Sequence, residues 1–318
     1  MNTLWEQFTF SASVTGPICL MLFLGVFLKR IGLINDNFID VASKVVFQIT
    51  LPAMLFLSIV QSNHNFSASS ALVAFGLTAN FAFFLFTVLS TKWMFKDPKD
   101  QGVIIQGGFR ANTAIIGLAY VANIYGNEGV ALAAIYVASM TVLYNIQAVI
   151  ALTPKGEDTG SKAVTVIAKS LTKNPLIIAI FLAVFFYALS IPIPKMVTDA
   201  GQYFANMTLP LALLCTGGSL DISSLKQERL STWFSSSYKL IVAPLMITLA
   251  GFGLGFRGLD LGLIFLMSAA PTAAASYVMA RAMGSNSTLA ANIIALTTVL
   301  SLITCTLGIF ILKASGLI

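Results

Sequence analysis

Pro17–Leu33 reads PICLMLFLGVFLKRIGL, and Pro175–Ile191, 158 residues further along, reads PLIIAIFLAVFFYALSI. Kept at that offset without a gap, Thr50-Leu51-Pro52 falls on Thr208-Leu209-Pro210. Between positions 17 and 59 ten residues are identical: Pro17, Phe23, Leu24, Val26, Phe27, Ala42, Thr50, Leu51, Pro52 and Leu55. Apolar composition inflates such matches, but aligned prolines in an ungapped register are harder to obtain by chance. Later, Thr141-Val142-Leu143 matches Thr298-Val299-Leu300 at an offset of 157, and Gly126 matches Gly284 at 158. The chain reads as one unit written twice.

What the unit contains follows from composition. Of 318 residues only 9 % are charged, and 57 % are hydrophobic. An ordinary soluble protein has about 25 % charged residues. A soluble enzyme, a disordered chain and a nucleic-acid reader are excluded. A spanning helix needs about 20 mainly apolar residues. That ruler predicts ten spans, near Phe10–Phe27, Val41–Val60, Ala71–Leu89, Val103–Tyr125, Val130–Leu152, Pro175–Ile191, Val197–Gly218, Tyr238–Phe256, Leu261–Ala280 and Leu289–Leu312. The predicted fold is an all-α membrane protein. Residues 1–152 form a first five-helix repeat, 153–174 a cytoplasmic linker, and 175–318 a second repeat. An odd span number per unit forces the second copy to start from the opposite side, so the repeats are inverted. Inverted repeats recur in secondary transporters, where two similar halves make gates facing opposite sides.

Loop charges agree with an even span number. Fourteen basic residues fall on one side: Lys29, Arg30, Lys44, Lys92, Lys96, Lys99, Lys155, Lys162, Lys169, Lys173, Lys226, Arg229, Lys239 and Arg281. Lys195, Arg257 and Lys313 fall on the other. The rich side is cytoplasmic by the positive-inside rule. A multi-pass protein of the cell membrane with both termini non-cytoplasmic is therefore expected. The basic residues serve orientation in the lipid bilayer, not nucleic-acid binding.

Transporters of this kind bind substrate where spanning helices break near the midplane. Span four carries Gln106-Gly107-Gly108-Phe109-Arg110-Ala111-Asn112-Thr113-Ala114, and span nine carries Ser268-Ala269-Ala270-Pro271-Thr272-Ala273-Ala274-Ala275-Ser276. Glycines weaken a helix, Asn and Thr bond locally to backbone, and Pro removes an N–H. The two stretches occupy corresponding places in the two halves. Candidate substrate-binding residues are Arg110, Asn112, Thr113, Asn145, Pro271, Thr272 and Ser276. Candidates for helix interruption, bending or gating are Pro52, Gly107, Gly108, Pro210, Gly217 and Gly218, with the two prolines expected to bend their helices and close helix packing the leading role of Gly217 and Gly218. Arg110 is the one ionisable group placed firmly inside a span, at an insertion cost of about 2.5 kcal/mol or more. Two roles are open to it: attracting an anion in a wet cavity, or snorkelling to the cytoplasmic mouth beside a loop carboxylate. Asn80, Tyr144 and Asn145 also bring polar groups into spans, with hydrogen bonding between helices the leading role and a place on the same cavity open to Tyr144 and Asn145.

Some chemistry is excluded. Cys19, Cys215 and Cys305 lie singly in apolar runs, and the one histidine, His64, sits in a polar loop. No metal set or nucleophile–base pair is visible, so neither an enzyme nor a cofactor is expected. None of the acidic residues falls in mid-span, which leaves an acidic-pair proton antiport poorly equipped. Coupling to Na+ or to H+ stays open.

Taken in order, these marks resemble the auxin efflux carrier family. They are Leu51-Pro52-Ala53-Met54-Leu55-Phe56, Asn112-Thr113 followed by Gly117-Leu118, Leu209-Pro210 with Gly217-Gly218, and Ala270-Pro271. The resemblance covers nearly the whole chain. It implies a ten-helix fold related to bile acid symporters and sodium/proton antiporters, with broken helices four and nine crossing near the centre. It also implies a scaffold and a transport domain that move relative to each other, a homodimer, and organic anions such as auxin, malate or malonate as cargo. Asn112 and Pro271 would line the site. Plant members carry a proline beside the crossover asparagine, where this chain has Ala111, so a milder break is expected in span four. The expected function is alternating-access transport of a small organic anion, a carboxylate. The alternative is a membrane sensor that binds without translocating, or a channel.

Overall fold

The computed structural model describes residues 2–61, 70–153, 165, 172–220 and 230–318. Among the described residues the regular elements are helices, with a single isolated bridge between extended residues. Eleven helices run in order: α1 Asn2–Arg30, α2 Asp36–Val60, α3 Ser70–Met94, α4 Pro98–Phe109, α5 Thr113–Leu152, α6 Pro175–Ala188, α7 Lys195–Ser219, α8 Leu230–Gly253, α9 Gly258–Ala269, α10 Ala275–Ala282 and α11 Ser287–Ala314. Six of these are long and apolar enough to cross a membrane: α1, α2, α3, α5, α8 and α11. Large apolar side chains left exposed, such as Leu20, Phe23 and Phe27 on α1 and Phe181 and Phe185 on α6, present the hydrocarbon surface a bilayer covers.

The ends have local causes. Asn35, Asn174 and Asn286 each accept a hydrogen bond from a backbone N–H of the first turn they precede, at 2.9, 3.0 and 3.0 Å. Pro175 follows its cap at a position where the missing N–H costs nothing. α5 kinks at Gly126, whose φ of 58° and ψ of −149° suit only glycine. There the fourth and fifth predicted spans meet.

Three expectations are corrected. α2 runs continuously through Pro52 and α7 through Pro210, Gly217 and Gly218, so these are not the places where helices break. A π-helical turn over Val46–Thr50 precedes Pro52, and Leu51 N–H bonds Val46 O, so the backbone is rebuilt on the N-terminal side of the proline. A Cβ on Gly217 would meet the backbone carbonyl of Leu22, so this glycine serves the contact of α7 with α1. Second, Gly107 and Gly108 lie in the last turn of α4, just before its break. Third, α8 begins at Leu230, eight residues before the predicted span, and takes Lys239 out of the basic loop. The Ser231–Ser237 run lowers apparent hydropathy, yet Ser231, Thr232, Ser235 and Ser236 are buried. Ser235 Oγ donates to Ile104 O at 2.9 Å.

Asn80 of α3 sits in a polar cluster. Tyr144 Oη donates to Asn80 Oδ1 at 2.8 Å, and Asn80 Nδ2 donates to Tyr136 Oη at 3.2 Å. This is the role expected for Asn80 and Tyr144. Lys29 pairs with Asp36 at 2.6 Å, both exposed, and such a pair contributes little. His64, Lys155, Lys162, Lys169, Asp221, Lys226 and Arg229 lie outside the described residues.

Candidate functional site

Two chain interruptions face each other. α4 ends at Phe109, and residues 110–112 are non-helical. α9 ends at Ala269, and residues 270–274 are non-helical before α10. The break without a proline is the shorter one. The two form a short antiparallel bridge centred on Ala111 and Thr272. Asn112 N–H donates to Pro271 O at 2.7 Å, and Ala273 N–H donates to Arg110 O at 3.1 Å. Unpaired backbone groups in hydrocarbon cost several kcal/mol each. Each break therefore supplies the partners that the other lacks.

Side chains complete the joint. Thr272 Oγ1 donates to Gly107 O at 2.7 Å, taking up a carbonyl from the last turn of α4. Thr297 Oγ1 of α11 receives Thr272 N–H at 3.2 Å. Asn112 O receives Gly117 N–H at 3.0 Å, closing the π-helical turn that opens α5.

A cavity of about 1240 Å³ lies against this crossing. One wall is the crossing itself with α5, α10 and α11, including Arg110–Ile115, Thr141, Tyr144 and Asn145. The opposite wall is the first half of α2, the start of α6 and the last turns of α7, including Asp40, Ser43, Gln48 and Thr216. The rest of the lining is mainly apolar.

Arg110 is the strongest charge on the crossing wall and is only 8 % exposed. Its Nη2 donates to Asn145 Oδ1 at 2.8 Å, and its Nη1 reaches Met279 Sδ. Both partners are neutral, so they orient the guanidinium without cancelling its charge. Asn112 also lines the cavity, and its side chain makes no capping bond. Polar groups thus reach the cavity from both walls, Arg110, Asn112, Thr113 and Asn145 on one side and Asp40, Ser43, Gln48 and Thr216 on the other, among a mainly apolar lining.

The structure thus brings Arg110, Asn112, Thr113 and Asn145 to one cavity. It places Pro271, Thr272 and Ser276 in the second break or just beyond it, buried and off the cavity wall. Ser276 Oγ is buried without a partner. Sequence reasoning missed Met279, Thr141, Ser43 and Tyr277. Only Tyr277 and Met279 carried a signal, being one turn beyond the quoted span-nine stretch. Among the described residues no cluster of His, Cys, Asp or Glu could hold a metal ion, and the three cysteines are free thiols.

A sequence profile of the family described as "Membrane transport protein" matches residues 13–309. Two archaeal proteins are similar along most of their length. An uncharacterized transporter of Methanothermobacter thermautotrophicus is 24 % identical over 289 residues, covering 90 % of this chain and 93 % of its own. An uncharacterized transporter of Methanocaldococcus jannaschii is 25 % identical over 310 residues, covering 93 % and 96 %. With its helices, its paired breaks and a profile match over most of its length, the chain belongs to this family of membrane transport proteins, the auxin efflux carrier family.

Proposed function

We propose that the protein is a secondary carrier of a small organic anion, a carboxylate, across the cell membrane by alternating access. The observation that carries this reading is Arg110. It is a buried guanidinium held by two neutral partners at the wall of a cavity, beside the joint of two broken helices. A planar fork with a remaining donor edge suits a carboxylate. Asn112 and Thr113 add hydrogen-bonding groups next to it.

In this reading ten spans form two inverted five-helix repeats, with α4 and the start of α5 as span four, and α9 with α10 as span nine. Helix ends support the repeat. Arg30, Val60, Met94, Phe109 and Leu152 are followed by helix ends at Ala188, Ser219, Gly253, Ala269 and Ala314, 158 to 162 positions later. Gly126 and Gly284 both have positive φ, 58° and 69°. The antiparallel sense of the Ala111–Thr272 bridge fits two segments related by a two-fold axis in the membrane plane.

The cavity reaches the start of α2, Lys173 and the end of α7. These ends flank the basic segments, so the cavity opens to the cytoplasm, both termini face outward, and the form is inward-facing. The protein works as a homodimer, as its family does. The test is uptake of labelled mono- and dicarboxylates by proteoliposomes. Saturable uptake with counterflow is expected in the wild type, and at least a tenfold loss in Arg110→Ala with folding intact. Flux without saturation marks a channel. Stabilisation by a carboxylate without flux marks a sensor. Undiminished uptake by the variant removes Arg110 from the site.

A further inference from the structure

Lys239 is 1 % exposed in the π-helical turn Tyr238–Val242 of α8, and its Nζ donates to Ser268 O at 2.8 Å. Ser268 lies in the last turn of α9, whose following carbonyls lose their helical partners because Pro271 stops the helix. Such an end carries about half a negative charge. A lysine in the middle of a span costs about 2.5–3.5 kcal/mol to insert. The carbonyl end of an interrupted helix is the kind of place where that cost is offset.

The same kind of place has a second use. In carriers built on broken helices, unwound carbonyls and half-helix C-terminal ends hold the coupling metal cation. Here that end is already taken by a cation of the chain itself. Lys239 does not line the cavity, so it is not the group that first meets the substrate. The two halves also differ at this point. The corresponding end, that of α4, is closed by the neutral hydroxyl of Thr272. The residue of α3 that corresponds to Lys239 is Asn80, held in a neutral cluster with Tyr136 and Tyr144. The first half has its own buried cation, Arg110, but its guanidinium turns to Asn145 and Met279, so an ammonium on the helix-end carbonyl is found at α9 and not at α4.

We propose that the Lys239 ammonium is a built-in cation that fills the coupling-ion seat at the end of α9, so that anion transport needs no sodium. This rests on the carrier reading above, and the experiment separates the two. In the first arm, the purified full chain is unfolded by heat in sodium chloride and in N-methylglucamine chloride at equal ionic strength. The wild type is expected to melt at the same temperature in both. Lys239→Ala is expected to melt lower in N-methylglucamine and to regain roughly 2 °C or more in sodium, because the emptied carbonyl seat can then take the ion. Lys239→Gln, which keeps more of the side-chain volume and brings an oxygen, gives the same readout where the alanine variant does not fold. Sodium stabilisation of the wild type overturns the proposal. So does a sodium-insensitive melt of both variants, which marks a purely structural lysine.

The second arm compares uptake in the two salts. Equal uptake by the wild type and sodium-dependent uptake by the variants are expected, and sodium-dependent uptake by the wild type again overturns it. A wild type that moves no anion in either salt refutes the carrier reading, while the melting arm still decides the role of Lys239.

Discussion

Replacing Thr272 by valine removes one hydroxyl and leaves the shape nearly unchanged. Thr272 is 1 % exposed, and its Oγ1 donates to Gly107 O at 2.7 Å, joining the second break to the last turn of α4. The backbone bond from Thr272 N–H to Thr297 Oγ1 is untouched by the change. What is lost is one hydrogen bond between segments, and what remains is a buried carbonyl without its partner. Hydrogen bonds between helices in membranes average about 0.6 kcal/mol and reach about 1.7. An orphaned buried acceptor costs about 1–3 kcal/mol. The expected destabilisation is therefore about 1–2 kcal/mol. A kcal/mol shifts Tm by about 2 °C in a chain of this size, so the melt should fall by about 2–4 °C. A thiol-reactive fluorophore reads it directly, because Cys305 is a buried free thiol away from the cavity. Thr272→Ser keeps the hydroxyl and should recover most of the loss. Thr78→Val, which removes a bond from an exposed hydroxyl to its own helix, should shift Tm by no more than a few tenths of a degree. If Thr272→Val melts with the wild type, the bond between the breaks does not hold the joint.

Arg110→Lys keeps a charge but loses the fork that reaches Asn145 and Met279 together, so uptake should fall between wild type and Arg110→Ala in the liposome assay. Gly217→Ala drives a methyl into the backbone carbonyl of Leu22 and forces α1 from α7, at about 1–3 kcal/mol. Gly16→Ala, with open space around it, should melt like the wild type. Gly126→Ala puts a side chain at a φ of 58° and ψ of −149°, at about 1–3 kcal/mol, and a lowered Tm checks it.

The helix interruptions were legible because they are chemical. Pro271 and the Gly-rich and Asn-Thr-bearing stretch of span four break helices by what they lack or bond to. The quoted nine-residue stretches bracket both observed breaks. The repeat was legible because prolines and apolar runs recur at one offset in the sequence. Lys239 was not legible, because hydropathy treats the hydroxyls of Ser231–Ser237 as loop-like. Inside a helix bundle they find carbonyls, as Ser235 finds Ile104 O. Pro52 and Pro210 misled for the opposite reason. A proline predicts a lost N–H, but a π-helical turn beside Pro52 and an unbroken α7 around Pro210 absorb that loss without ending the helix. The partners of Arg110 depend on α5 and α10 meeting, which no local pattern encodes.

The joint between the breaks also constrains how the cavity can change. Four peptide groups, those of Arg110, Asn112, Pro271 and Ala273, are satisfied across the gap between the two breaks. Pulling the two segments apart exposes all four together at several kcal/mol each. The crossing is therefore bonded into one unit, with α4, α9 and the helices fastened to it through Thr272, Thr297 and Lys239. On the far side of the cavity, α1 and α7 are locked backbone to backbone, Gly25 facing Leu214 and Gly217 facing Leu22. On the carrier reading proposed above, a change of access comes from displacement between these two walls rather than from remodelling either one. The cavity lies between them, lined from α2, α6 and α7 by apolar and small side chains together with Asp40, Ser43, Gln48 and Thr216. Away from the cavity the two sides are also bonded, Thr15 Oγ1 of α1 with Thr306 Oγ1 of α11 at 2.7 Å and Asn123 Nδ2 of α5 to Val14 O of α1 at 2.8 Å, and a displacement has to break or re-form these bonds. The charge of Arg110 rides with the crossing rather than with the opposite wall. An anion held there would be carried with the moving body.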